Sequence, residues 1–188
     1  MKKLIMLFLV GLFSLNMAIA QNWSMDKAHS RLGFGVTHLM ISEVLGNFKT
    51  FEVKMTSSRD DFSDAVIEVT ADVSTVNTEV EMRDNDLRSK NFFDVATYPN
   101  LTFKSASFTK VAEKKYSLVG DLTIKGVTKS ITLDVTLNGT MTRQRDQKLV
   151  AGFKITGAFK RTDFGVGGTP STAGEDVTLI SNLELIRQ

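Results

Sequence analysis

Residues 130–141, with the sequence SITLDVTLNGTM, carry the pattern that decides the fold. Ile131, Leu133, Val135, Leu137 and Met141 alternate there with hydroxyl, carboxyl and amide side chains. Successive side chains of a β-strand point to opposite faces of the sheet, so this stretch has one apolar and one polar face. The pattern predicts a long strand that is buried on one side and wet on the other.

The same two-residue period recurs along the chain. Strong alternation predicts strands near residues 65–73, 116–124, 149–159 and 177–185, and weaker alternation predicts them near residues 32–36, 51–55 and 101–103. Together with residues 130–141 these stretches make eight strands. Lys125-Gly126 and residues 143–146 predict short turns, and neighbouring strands joined by short turns are antiparallel.

The alternation stops between residues 75 and 100. Residues 78–81 (TEVE) have the form of a capping box, which predicts a short helix from Thr78 to about Leu87. Eight antiparallel strands with one apolar face each are best satisfied by closing into a barrel without edges. The sequence therefore predicts an all-β, eight-stranded antiparallel barrel with a short helical excursion between strands 3 and 4. A two-sheet sandwich is the alternative.

The first 20 residues differ from the rest of the chain. Lys2 and Lys3 precede the apolar run 4–13, and Ala18-Ile19-Ala20 has the form of an Ala-x-Ala cleavage site. These features predict a signal peptide over residues 1–20, cleaved after Ala20, and one exported domain over residues 21–188, either periplasmic or secreted. An uncleaved anchor is the alternative, but the apolar run is shorter than the about 20 residues of a membrane span.

Composition excludes several classes of function. The chain has 23 basic and 21 acidic side chains, and removal of Lys2 and Lys3 leaves 21 of each. A neutral domain is not expected to bind nucleic acid, which requires a basic face. The absence of cysteine excludes disulfides and thiolate metal sites. Two histidines nine residues apart, His29 and His38, are too few nitrogen donors for a zinc site, so no metal is expected.

Small residues fall in phase with the apolar positions of the predicted strands. They are Ala65, Ala71, Ser105, Gly120, Gly139, Ala151, Gly157 and Ser181. An eight-stranded barrel is just wide enough to be filled by side chains or to hold one small ligand. Because packed interiors tolerate few voids, either neighbouring phenylalanines or a ligand must occupy this space. The pattern favours a ligand cavity.

Several clusters of residues together resemble the YceI-like family of lipocalin-like periplasmic proteins. The clusters are WSMD (23–26), FGVTH (34–38), GNF (46–48), TEVEMRDNDL (78–87), NFFDV (91–95), YPNLTFKS (98–105), GDLTIKGVTK (120–129) and RTDFGV (161–166). Their order and spacing span nearly the whole exported domain. The resemblance implies a lipocalin-like barrel with an apolar pore that takes up a polyisoprenoid chain, with neither a metal nor a catalytic apparatus.

Such a pore would be lined by the inward residues of the predicted strands. The candidate ligand contacts are Phe34, Val36, His38, Phe48, Phe103, Leu122, Phe153 and Phe159. Ordinary packing is the alternative for any single phenylalanine. His38 shares a strand face with Phe34 and Val36, so it points inward. A hydrogen-bonded inner histidine is the favoured interpretation, and a role in orienting a ligand head group is the alternative. His29 is expected to stabilise the barrel entrance.

The candidate residues for a head-group site or pore mouth are Arg83, Asp84, Arg161 and Phe164. Arg83 and Asp84 are on the predicted helix, where they form either a charged lip for a phosphate or quinone head group or an internal ion pair that pins the helix. The ion pair is favoured. Arg161 is in phase with Phe159 and points inward, either as a head-group anchor or as a plug hydrogen-bonded to carbonyls.

The sequence thus predicts an exported protein that holds a long-chain isoprenoid, such as a polyprenyl phosphate or an isoprenoid quinone, for transport, storage or stress protection. No cofactor and no catalytic residue is expected. Two alternatives remain open, namely an enzyme that acts on a lipid or small apolar substrate with His38 as general base, and an envelope stress protein without a ligand. Transient membrane contact and a homodimer are the further interactions considered.

Overall fold

A computed structural model describes residues 20–168 and 171–188, so the predicted signal peptide lies outside the described residues except for Ala20. The fold is all-β with one short α-helix. The elements are β1 (Gln21–Met25), β2 (Arg31–His38), β3 (Ser42–Phe48), β4 (Phe51–Ser57), β5 (Val66–Asp72), β6 (Val76–Asn77), α1 (Glu81–Arg88), β7 (Asn100–Ala112), β8 (Lys115–Ile124), β9 (Val127–Thr142), β10 (Leu149–Lys160) and β11 (Ala173–Arg187). Among the described residues, no helix has the length and hydropathy needed to span a bilayer.

The eleven strands form one closed antiparallel sheet. Its order is β1-β4-β5-β7-β8-β9-β10-β11, and β1 pairs with β11 to close the ring. β2 follows β1 in the chain, β3 precedes β4, and β6 follows β5, and each of these segments extends the strand beside it in sequence. β11 pairs with β2, β2 with β3, and β3 with β6. The ring therefore has eight positions, three of them occupied by bent strands. The predicted eight-stranded barrel is confirmed, and the sandwich alternative is wrong.

The strands that the sequence did not predict are β1, β3 and the two-residue β6. In β1 only Trp23 is buried, so no alternation marks this strand. In β3 the inward position Gly46 has no side chain and Leu45 is exposed, which reverses the expected pattern. The period of two is lost wherever a strand buries a single residue or places an apolar residue outward.

The helical excursion lies where it was predicted, but it begins later. Residue Val80 precedes α1 and makes no side-chain capping bond. The hydroxyl of Thr78 donates instead to Asp84 Oδ1 at 2.6 Å, and Glu79 has a left-handed φ of 64° that breaks the helical path. The capping box is therefore wrong as the start of the helix.

The tight turn between β8 and β9 follows from its two central residues. Lys125 and Gly126 have φ values of 51° and 75°, the left-handed pair of a two-residue hairpin turn. A Cβ atom at Gly126 would also lie only 2.7 Å from the ring of Tyr98, so the close approach requires glycine.

The barrel has an upper and a lower end. The upper end contains the His38 end of β2, the Lys160 end of β10 and the Ala173 end of β11, which the strand register brings together. At the lower end, Phe62 is 1% exposed and packs edge-on against Trp23 and Phe153, with ring centroids 5.2 and 5.3 Å away. Phe62 thus closes the lower end as an aromatic plug.

The loop that carries this plug is held by Asp64. Its carboxylate accepts hydrogen bonds from Ser57 Oγ at 2.6 Å, from Ser58 N at 2.9 Å and Ser58 Oγ, and from Arg59 N at 3.3 Å. Partial burial favours the neutral acid, but these hydrogen bonds outweigh it and hold the pKa of Asp64 well below its usual range. Folding therefore stabilises the ionised carboxylate of Asp64 relative to its neutral form.

We expect Asp64→Asn to lower stability at pH 7 but to matter less in acid. A carboxyl with a lowered folded pKa stabilises the fold above its unfolded pKa of about 3.9, and that contribution is lost as the pH falls toward the folded value. Urea unfolding midpoints of the wild type and the variant at pH 7 and pH 3 measure this. Asp60→Asn, an exposed neighbour, is the control. A gap between wild type and Asp64→Asn that stays constant with pH would contradict the assignment.

Candidate functional site

The barrel encloses an apolar cavity of about 360 Å³. This volume is in the range of small-molecule pockets, which run from about 300 to 1,000 Å³. Val177 and Leu185, eight residues apart on β11, both line the cavity. Their separation corresponds to about 26 Å along the strand and, at a strand tilt of about 40°, to about 20 Å along the barrel axis. The cavity is long and narrow rather than compact.

All eight residues proposed from the sequence as ligand contacts lie on the cavity wall. They are Phe34, Val36, His38, Phe48, Phe103, Leu122, Phe153 and Phe159. Alternation located those on the predicted strands, since inward positions share one face, whereas Phe48 lies on β3, which was not predicted. Contact of these residues with a ligand remains a prediction.

The sequence missed wall residues on the weakly patterned strands and in the helical segment. These are, among others, Val44, Met55, Thr78, Asp86 and Leu87. Met55 lies in a predicted strand, and the period of two places it on the inward face, but it was not chosen as a candidate ligand contact. No comparable signal marks Thr78 or Asp86, because the helical segment has no simple period relative to the barrel axis.

The wall is apolar at the lower end and polar at the upper end. Residues near the Phe62 plug are apolar, namely Met55, Phe108, Leu118, Val135, Phe153 and Leu185. The polar wall residues at the upper end are Thr37, His38, Thr78, Arg83, Asp86, Arg161, Ser171 and Thr172. Ser181 lies between the two regions, and its hydroxyl donates to Arg31 O at 2.8 Å. Asp86, Ser171 and Thr172 are exposed to solvent as well as lining the cavity, so the cavity opens at this end.

Arg161 is a buried cation at the upper end of the wall. It is 5% exposed, and its Nε, Nη1 and Nη2 donate to the carbonyl oxygens of Gly174, Val166 and Ala173 at 2.8, 2.8 and 2.9 Å. These are the hydrogen bonds expected of a plug. No carboxylate in the described residues lies within 4.0 Å of it, and a guanidinium has five N–H groups, so two of them are left over.

Phe164 does not reach the cavity wall. Its ring is 1% exposed and packs edge-on against Phe159, with the ring centroids 5.5 Å apart. Phe159 does line the cavity. Phe164 therefore supports a wall residue from behind, which places it away from the pore mouth that the sequence suggested.

Arg83 and Asp84 are joined through Thr78 and not by a direct ion pair. Arg83 donates from Nε to Thr78 Oγ1 and from Nη2 to Thr78 O, each at 2.7 Å. Thr78 in turn donates to Asp84 Oδ1, from its hydroxyl at 2.6 Å and from its backbone N–H at 2.8 Å. Asp84 is buried off the wall, whereas Arg83 lines the cavity. The favoured ion pair is replaced by a hydrogen-bonded chain that still pins α1.

The two histidines have different surroundings. The ring of His38 lies on the upper wall and makes no hydrogen bond to any described residue, unlike the hydrogen-bonded inner histidine that the sequence favoured. His29 is exposed, and its Nδ1 lies 3.2 Å from Asp26 Oδ2 on the outside of the barrel. His29 therefore does not reach the cavity.

A group of potential metal ligands surrounds that ion pair. Asp26, His29 and Glu184 each offer one donor atom within 4.8 Å of the others. Arg143 Nη1 lies 3.5 Å from Asp26 Oδ2, so a guanidinium already balances this charge. Partial burial raises the pKa of Asp26, but the hydrogen bonds from His29 and Ala28 and the charge of Arg143 lower it overall. The group is an ordinary surface ion-pair cluster.

The described residues thus define a closed eight-stranded antiparallel barrel with an apolar cavity that is closed at one end. A family model described as the YceI-like domain matches residues 23–185. This match spans most of the chain, so the protein belongs to the YceI-like family, and the resemblance found in the sequence is confirmed.

Relatives and solved structures agree with this assignment. A UPF0312 protein of Staphylococcus aureus strain N315 is 40% identical over 145 residues, which cover 77% of this chain and 82% of the relative. The Campylobacter jejuni YceI protein is 36% identical with a TM-score of 0.73, covering 87% of this chain and 96% of that one. Burkholderia cenocepacia BcnA is 25% identical with a TM-score of 0.77, covering 85% and 98%. A polyisoprenoid-binding domain from Saccharophagus degradans has the same fold, with 17% identity, a TM-score of 0.62 and coverage of 88% and 98%.

Replacing Thr78 with Val removes the hydroxyl that joins Arg83 to Asp84. We expect the free energy of unfolding to fall by about 1–3 kcal/mol, because the buried carboxylate loses a donor and the guanidinium loses an acceptor. Urea unfolding followed by circular dichroism measures the change. Thr102→Val, on the exposed face of β7, should stay within about 0.5 kcal/mol of the wild type. Equal losses in both variants would show that the hydroxyl has no special role.

Proposed function

We propose that this protein binds a long-chain isoprenoid lipid, or a similar long-chain amphiphile, in the barrel cavity. The observation that carries the proposal is the gradient of polarity along a cavity closed at one end. The tail of the ligand lies in the apolar lower region above the Phe62 plug, and its head group lies among the polar residues of the upper end. An amphiphile has the same gradient along its own length.

The apolar region supplies affinity without strong polar contacts. Each methylene group transferred from water into an apolar cavity contributes about 0.8 kcal/mol, so a long hydrocarbon chain accumulates a large favourable free energy. The cavity length of about 20 Å suits an extended chain. Methylene contacts discriminate poorly between similar chains, so the upper end decides which head group is accepted.

Arg83, Arg161 and His38 are the residues that meet the head group. Arg161 has N–H groups beyond those bonded to carbonyls, and His38 has an uncommitted ring. Guanidinium groups bind phosphate and other oxygen acceptors through paired hydrogen bonds, which suits a polyprenyl phosphate or the carbonyl oxygens of an isoprenoid quinone. The polyisoprenoid-binding name of the Saccharophagus degradans domain is consistent with this class of ligand.

Binding, transport or storage without turnover fits the polar groups that are present. His38 would be the general base of an enzyme, but no described carboxylate orients its ring, and no described serine or threonine hydroxyl hydrogen-bonds to it. A general base normally acts within hydrogen-bond reach of the group that it deprotonates. We therefore propose that the protein binds its ligand without turnover.

Filling the cavity should abolish lipid binding. Ile155→Trp places a larger side chain on the cavity wall, and Lys154→Trp places the same side chain on the outer face of the same strand. We expect organic extracts of the purified wild type and of Lys154→Trp to contain a long-chain lipid by mass spectrometry, and extracts of Ile155→Trp to lack it. Thermal unfolding verifies that both variants fold.

The same proteins are then tested with added isoprenoid quinones and polyprenyl phosphates. If the wild type yields no lipid and binds none of these probes, the binding proposal is wrong. Equal lipid recovery from Ile155→Trp and Lys154→Trp would place the lipid outside the cavity.

Export is a separate part of the proposal. The basic and apolar segments before Ala18-Ile19-Ala20 support secretion to the periplasm or beyond, with cleavage after Ala20. The full chain expressed in a bacterium should appear in the periplasmic or extracellular fraction with Gln21 at its N-terminus, measured by intact mass. Ala18→Asp Ala20→Asp should leave the uncut chain in the membrane fraction. A mature wild-type protein that retains residues 1–20 would overturn the cleavage.

A further inference from the structure

The turn between β2 and β3 exposes three consecutive large apolar residues. Leu39, Met40 and Ile41 are 54%, 83% and 84% exposed. Single exposed apolar residues are common on soluble proteins, but a contiguous group at the tip of a projecting hairpin is not, and such groups mark interaction sites. We call these three residues the apolar tip.

The local backbone also disfavours these residue types. Leu39 and Met40 have φ values of 51° and 60°, and Ile41 N donates to His38 O at 3.1 Å across the turn. Two successive left-handed residues in a hairpin turn favour asparagine and glycine, because other side chains crowd the backbone. Solvent exposure and backbone geometry therefore both disfavour leucine at position 39 and methionine at position 40. A contribution to the stability of the fold does not explain why these two residues are present.

The apolar tip stands beside the opening of the cavity. His38, which precedes it, lines the upper wall, and Leu39 N donates to the carbonyl oxygen of Thr172, a residue at the opening, at 2.8 Å. A second exposed apolar group, Val80 and Met82, lies at the start of α1, which also borders the cavity through Arg83. Apolar side chains thus project into solvent at the end where a lipid must enter.

The hairpin that carries the apolar tip has no cationic side chain of its own. Residues 32–48 contain no lysine or arginine and one acid, Glu43, so this hairpin adds no electrostatic attraction to an anionic surface. Three side chains also offer far less than the about 800 Å² per partner that a stable protein interface buries. A small convex apolar group fits insertion between lipid head groups, as in other interfacial anchors.

We propose that the apolar tip inserts into the surface of a zwitterionic lipid bilayer and holds the cavity opening against it. An amphiphile then passes between bilayer and barrel without exposing its chain to water. The passage of the lipid rests on the proposed function, but the insertion of the tip does not.

The test is sedimentation of the full exported chain with phosphatidylcholine vesicles. Met40→Ser Ile41→Ser should weaken partitioning by about tenfold or more, since each buried apolar side chain contributes to binding. Val111→Ser Met141→Ser, which removes two exposed apolar residues away from the opening, is the matched control and should partition like the wild type. Equal partitioning of all three proteins would overturn the proposal.

A second variant separates insertion from folding. Leu39→Asn Met40→Gly places favoured residues at both left-handed positions, so it should unfold at the same or higher temperature while losing vesicle binding. Binding that appears only with added phosphatidylglycerol, or self-association in sedimentation velocity that the variant abolishes, would assign the tip to an anionic surface or to a second copy and would refute the proposal. If Ile155→Trp still binds vesicles, insertion stands even where lipid uptake fails.

Discussion

The whole molecule depends on the pairing of β11 with two strands from the other end of the chain. The upper part of β11 pairs with β2 and its lower part with β1, so the last strand closes the ring that the first strands open. Without this seam, the sheet would have two free edges and an apolar face in water. With it, Ile131, Leu133 and Val135 of β9 face the opposite wall of a cavity. Because the seam joins residues about the whole chain length apart, the cavity exists only once the complete chain has folded.

Different interactions hold the two ends of the barrel together, and only one end gives access to the cavity. The lower end is sealed by aromatic packing of Phe62 against Trp23 and Phe153, which excludes water. The upper end is held by hydrogen bonds, from Arg161 to three loop carbonyls and from Arg88 to the carbonyl oxygens of Ser74 and Val76. The cavity opens at the upper end, where Asp86, Ser171 and Thr172 line it and are also exposed to solvent.

The sequence predicted what depends on period and failed where the backbone changes direction. Alternation located the strong strands and the wall residues on the predicted strands, because inward positions follow from the period alone. It missed β3, where Gly46 and the exposed Leu45 interrupt that period. It also paired Arg83 directly with Asp84. The left-handed Glu79 turns the chain so that Thr78 comes between them, and no local pattern reveals such a turn.

The small inward residues show why the sequence pattern alone did not determine where the open space inside the barrel lies. They were expected to leave space, yet a Cβ atom at Gly120 or Gly157 would clash with Phe103 or Leu133 on the neighbouring strand. A Cβ atom at Gly46 on β3 would clash with Phe34 in the same way. Each glycine allows the adjacent large side chain to lie flat along the wall, where it packs against backbone. A ring that lies along the wall does not cross the lumen, so the open space is displaced from the glycines to the barrel axis. The cavity therefore results from the pairing of small with large residues across strands. Its apolar lining is continuous because the side chains that cover the glycines also face the cavity.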